Sequence, residues 1–225
     1  SAAQAPQSAR SMAPHDLTGY WVALITEDWR FRMLAAPAGD YQGITLTPAG
    51  AALANSWDPD ADVAAGNACK AYGAGGLMRM PTRLHITWAD ENVLKLESDA
   101  GRQTRLFRFG QAQDSVGAGS LQGVTAARWE LQREGRGGPV VTGTLEAHTT
   151  QMAPGYLRRN GVPYSEQASL TEYFELVQGK DGTEYLLVIS ELEDPLYLGQ
   201  NVLTSTSFKR EADNAGWSPA DCMAK

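Results

Sequence analysis

The chain has 225 residues, 43% of them hydrophobic, and a formal net charge of -7. This acidic balance argues against non-specific nucleic-acid binding, which needs basic surface to displace counterions. No apolar run reaches membrane-spanning length, and the hydrophobic content suits one sizeable core, because all-β barrels often reach this length as a single unit.

Residues 1–14 are rich in Ala, Ser, Gln and Pro and have no apolar period, so a flexible tail is expected before a single domain over 15–225. The tail lacks the apolar core of a signal peptide. It fits either a processed exported chain or a chain that begins in a linker. The run Asp16 to Ile25 reads as a first strand, with Gly19 allowing a bend or a close approach. In residues 26–33 two acids, two arginines and two aromatics follow. They read either as surface ion pairs on a strand end or as a rim where Trp29, Arg30 and Arg32 hold a polar or anionic ligand group.

Thr47-Pro48 opens a helix, with Thr47 as cap and Pro48 in the first turn. Pro59 ends it, and a second helical turn is expected at 61–66. This insert is expected over one mouth of a barrel, with a flexible glycine run from Gly73 to Gly76 behind it. Residues 83–109 then read as three antiparallel strands joined at Asp90-Glu91-Asn92 and at Asp99-Ala100-Gly101. Leu84, Ile86 and Trp88 share one face, while Arg83, His85 and Thr87 share the other. Gln103, Arg105, Phe107 and Phe109 share a face of the third strand.

Further strands are expected over 123–132, 140–150, 170–178, 184–193 and 203–209, for nine or ten in all. Residues 110–120 read as a small polar loop, and 152–165 as a long structured loop carrying Tyr156, Arg158, Arg159 and Tyr164. Cys69 and Cys222 are too far apart for a zinc knuckle or a CxxC centre. They are either two buried thiols or one disulfide that ties the C-terminal tail to the loop before the three-strand unit, which would imply an oxidising compartment.

Gly19-Tyr20-Trp21 at the start of the first strand resembles the Gly-x-Trp signature of lipocalin-like (calycin) barrels. That resemblance implies an antiparallel lipocalin-like barrel whose Trp closes the floor under a basic residue of the last strand, here Lys209 or Arg210. The phrases EDWRFRM (27–33), GNACKAYG (66–73), MRMPTRLHITW (78–88), DAGRQTR (99–105), GYLRRNGVPYS (155–165), TEYFE (171–175) and EDPLYL (193–198) resemble an uncharacterised family of exported proteobacterial proteins. This implies a periplasmic or secreted location and no particular activity.

No phosphate-binding glycine motif, zinc-protease motif or nucleophile elbow occurs, and no metal or cofactor is expected. Three readings follow. The first is a barrel that binds a small hydrophobic or aromatic molecule in its cavity, with contacts from Trp29, Arg30, Arg32, Arg83, Arg105, Tyr156, Arg159 and Tyr164. The second is an enzyme on the same scaffold, a lyase, isomerase or hydrolase, with His85 as general acid or base. The third is a structural protein with a filled barrel. His148 is a weaker candidate at the end of its strand.

Overall fold

The structure, a computed structural model, describes residues 7–26, 28–110 and 115–225. In chain order its elements are β1 (Gly19–Ala23), α1 (Trp29–Arg32), α2 (Pro48–Asn55), α3 (Pro59–Ala64), a 3-10 turn (Lys70–Tyr72), α4 (Ala74–Leu77), β2 (Arg83–Asp90), β3 (Val93–Ser98) and β4 (Thr104–Phe109). Then come β5 (Val124–Arg133), β6 (Val140–Thr150), β7 (Gly155–Tyr156), β8 (Pro163–Tyr164), β9 (Ser169–Gln178), β10 (Glu184–Glu193) and β11 (Val202–Glu211). Nine strands close into a barrel in the order β1-β11-β10-β9-β6-β5-β4-β3-β2, and β7 and β8 form a separate small hairpin.

The barrel is mixed rather than purely antiparallel, because β4 and β5 run parallel, with Phe107 opposite Thr125. Parallel neighbours need a crossover of a dozen or more residues, which two-residue turns cannot supply. Residues 110–123 supply that length here, and 111–114 of them lie outside the described residues. The three-strand unit itself is as expected: Ile86 faces Leu96, Leu96 faces Arg105 and Leu94 faces Phe107, all on the inward side.

Two apolar clusters stack along the barrel. Trp21, Leu84, Ile86, Leu94, Leu96, Phe107, Phe174, Val188 and Phe208 fill the strand-walled interior. Ile44, Tyr164, Leu170, Leu192 and Leu198 form a second cluster under the helical insert. The insert forms as the caps dictate. Thr47 Oγ accepts from Gly50 N at 3.1 Å, and Asp58 Oδ1 accepts from Asp60 N and Ala61 N at 3.0 and 3.1 Å. The second helix starts at Pro59 rather than 61 because Asp58 supplies this cap.

Two expectations about flexible segments are corrected. The glycines at 73–76 are not a flexible link: α4 lies there, and Ala74, Gly76 and Leu77 are buried. A Cβ on Gly73 would collide with the Tyr164 hydroxyl, and one on Gly75 would lie 2.7 Å from the Tyr164 ring, so these glycines admit a close backbone approach. The segment before residue 15 is docked from its first described residues. Arg10 N donates to Glu91 O at 3.0 Å, Trp129 Nε1 donates to Ala9 O at 2.8 Å, and Ala9 is buried. Residues 1–6 lie outside the described residues.

Trp21 is fully buried, and its Nε1 donates to Leu17 O at 3.0 Å. Arg210 of β11 lies over its ring, 4.1 Å from the centroid. Arg210 also donates to the carbonyls of Thr18 and Asp16 and pairs with Glu184 at 2.6 Å. Arg210, not Lys209, is therefore the basic cover. Cys69 and Cys222 form a disulfide, which fixes the tail after β11 against the loop before β2. Replacing Trp21 with Ala is expected to cost about 3–5 kcal/mol of stability, as for other truncated core aromatics. Denaturant melts check this; a loss under about 1 kcal/mol would show that Trp21 is not a stabilising part of the core.

Candidate functional site

The sequence-predicted residues do not form one site; the structure divides them among four places. His85 and Arg83 lie on the outer wall. The His85 ring stacks on Tyr20 with centroids 4.1 Å apart and planes 2° apart, and Trp217 of the tail packs edge-on at 6.0 Å. Glu97 lies 3.5 Å from His85 Nδ1, and Arg83 pairs with Glu211 at 3.0 Å. Strand alternation explains this placement, because Leu84 and Ile86 take the inward positions and force their neighbours outward. His85 therefore faces no barrel cavity, and it is held by rings and a carboxylate.

Arg105 points the other way. Its guanidinium meets Glu172 of β9 in a two-pronged pair, Nη1–Oε1 3.0 Å and Nη2–Oε2 2.6 Å. Both side chains are 0% exposed. Arg105 Nη2 also donates to Thr149 Oγ1 at 3.2 Å, and the Thr125 and Thr149 hydroxyls are 2.8 Å apart. Two residues along β9 in one direction, Phe174 belongs to the barrel core; two residues in the other, Leu170 belongs to the cap core. The pair is thus a polar layer between two apolar ones.

Trp29, Arg30, Arg32 and Arg159 gather around α1. Arg159 Nη2 donates to the carbonyls of Arg32 (3.2 Å) and Met33 (2.6 Å), and buried Arg32 donates to Leu24 O (2.7 Å) and Arg79 O (3.2 Å). Trp29 is exposed, and Glu27 of this cluster lies outside the described residues. A helical turn, not a strand end, presents these groups. His148 sits on the outside of β6 within 3.1 Å of Thr171 Oγ1.

Tyr156 and Tyr164 border a half-open cleft of about 220 Å³ between the helical insert and the β7–β8 hairpin. Leu53, Trp57, Pro154 and Tyr197 give it apolar and aromatic walls. Its polar edge is a three-residue set. Tyr156 Oη donates to Asp62 Oδ2 at 2.6 Å, Lys70 Nζ lies 3.4 Å from Asp62 Oδ1, and Lys70 stands 5.3 Å above the Tyr156 ring. Burial, and then the Asp62 carboxylate, push the Tyr156 phenol well above the ordinary tyrosine value, so it stays protonated and donates. Burial likewise pushes Tyr164 up to about 12.

Asp62, Lys70, Trp57 and Tyr197 were missed from sequence. Asp62 and Lys70 are separated by a helix end and a turn, and Tyr197 comes from the far end of the chain, so no spacing connects them. The only local hint was Lys70 beside Cys69, whose disulfide pins that turn. Among the described residues no group of three or more His, Cys, Asp or Glu side chains could hold a metal ion.

The buried pair yields a stability prediction. Glu172→Ala leaves the Arg105 guanidinium buried without its counter-charge and is expected to cost about 3–5 kcal/mol. The double change Arg105→Met with Glu172→Leu should recover most of that loss, because it removes both charges at similar volume. A double-mutant cycle in denaturant reads both; equal losses in the single and double variants would refute the pairing.

No protein-family model, no curated protein and no solved structure matches this chain.

Proposed function

We propose that this chain binds a small molecule with an aromatic or apolar body, in the cleft under the helical insert and not inside the barrel. The observation that carries this reading is the cleft: aromatic walls from Trp57, Tyr156 and Tyr197 beside the Asp62–Tyr156–Lys70 set. Apolar walls with a few convergent polar groups are the usual chemistry of small-molecule sites. A volume of about 220 Å³ lies below the roughly 300 Å³ at which drug-sized pockets begin, so the ligand is a single-ring molecule with a hydrogen-bonding substituent.

Binding is favoured over catalysis. Tyr156 is committed as a donor to Asp62, and His85 sits on the outer wall away from the cleft. We read the barrel as lipocalin-like, on Gly19-Tyr20-Trp21 and the Arg210 cover. The disulfide supports a periplasmic or secreted location, since such bonds persist in oxidising compartments. No helix among the described residues is long and apolar enough to cross a membrane, and the net charge of -7 disfavours a nucleic-acid partner.

A panel of single-ring compounds (phenols, benzylamines, benzoates) screened by thermal shift and ligand-observed NMR tests this reading. At least one class should bind, and Trp57→Ala should weaken it about tenfold or more, the loss expected for a stacking wall. Tyr156→Phe, which keeps the ring, should weaken it less while the fold is retained. The reading fails if no compound binds, or if binding survives both changes intact.

A further inference from the structure

Next to that cleft, and sharing no lining residue with it, is a second and smaller opening of about 20 Å³. The side chains of Arg32, Arg79, Arg158 and Arg159 line it, with Met80 and Leu157. It forms because α1 lies across the end of the β7–β8 hairpin, and Arg159 fastens the two together through the Arg32 and Met33 carbonyls. Arg79 is anchored on its far side by Ser205 O at 2.9 Å and Thr206 Oγ1 at 3.3 Å.

Among the described residues the charges of Arg79, Arg158 and Arg159 do not balance: Arg79 pairs with one carboxylate, Asp28, at 3.2 Å and largely exposed, while Arg158 and Arg159 pair with none. Arg158 forms no ion pair among the described residues. Its Nη1 donates only to the adjacent Leu157 carbonyl at 3.0 Å, and its Nε is sealed from solvent without an acceptor. Burial first, and then the charge of Arg79, pull its pKa down to about 10 against the weaker pull of Asp28. Sunken guanidinium groups ordinarily sit against carboxylate or phosphate, because an uncompensated charge away from water is costly.

We propose that Arg79, Arg158 and Arg159 form a binding site for a phosphate-type oxyanion. A tetrahedral dianion offsets the two surplus charges, and its oxygens accept from planar guanidinium forks in two-pronged fashion. Arg158 supplies the innermost donor, and Arg159 holds the rim by its grip on α1. A carboxylate would neutralise only one charge and offer two oxygens to three forks. The same phosphate chemistry is carried by small phosphate esters and by phospholipid headgroups. The exposed Trp29, Met33 and Leu34 beside the opening make the second source a specific alternative to separate by experiment.

The test uses the full chain and inorganic phosphate, read by thermal shift and calorimetry against chloride at matched ionic strength. Phosphate should stabilise the wild type beyond chloride, and Arg158→Gln should weaken binding about tenfold or more. Arg158→Lys should also weaken it, because an ammonium keeps the charge but loses the fork. Arg128→Gln is the control, since Arg128 is exposed and paired with Glu146 on the barrel wall. Should Arg158→Gln not fold, Arg159→Gln at the rim reads the same loss. Co-sedimentation with phosphatidylglycerol against phosphatidylcholine vesicles separates the sources. Binding to the former that is lost in the Arg158 variants assigns a headgroup, and a phosphate response without vesicle binding assigns a soluble ester. The proposal is overturned if phosphate does no more than chloride and vesicles do not bind. It is also overturned if the Arg128 variant loses as much as the Arg158 variants. Ring-compound binding in the neighbouring cleft should be untouched by Arg158→Gln, so the two sites fail or stand separately.

Discussion

Closure of the barrel by five residues is the constraint on which the other features rest. Gly19–Ala23 pair with β11 on one side and with β2 on the other, so neither strand is left with an open edge. An unclosed sheet would present two rows of unsatisfied backbone groups to other chains. The strand is short, and its hold comes from what it buries. Trp21 is fully buried in the barrel core, Arg210 lies over its ring, and the Arg210 guanidinium reaches the backbone just before the strand begins. Gly19 is required at that approach, since it has φ +113° and a Cβ there would lie 3.1 Å from the Arg210 Nη1.

Deeper in the structure the Arg105–Glu172 pair bridges β4 and β9 and joins the Thr125 and Thr149 hydroxyls in one buried network. Such a network is costly unless its members find partners, and here the carboxylate and both hydroxyls do. It separates the strand-walled core from the cap core as a buried polar layer.

The cap is built from chain segments that are irregular in sequence but tightly fixed in space. Gly50 lets α2 lie against the Tyr197 backbone, while Gly73, Gly75 and Gly155 make room for Tyr164. The disulfide pins the adjoining turn to the C-terminal tail. Rigid backbone of this kind allows a loop region to hold side chains in fixed relation, the condition for selective binding. Two openings of opposite character result: one with aromatic walls around an acid, a phenol and an amine, the other ringed by guanidinium groups.

Local chemistry in the sequence determined the strands of the three-strand unit, the Thr47 cap and the turn-bounded hairpins. These follow from alternation and capping, which act between residues close in the chain. Tertiary structure alone decided that β4 and β5 run parallel, because a loop's length allows either direction and only packing selects one. It alone decided that Arg105 finds Glu172, that His85 stacks outside on Tyr20, and that Asp62 and Lys70 join Tyr156. Each of these pairs is separated by tens of residues, and one strand position of register sends a side chain either to the core or to the surface.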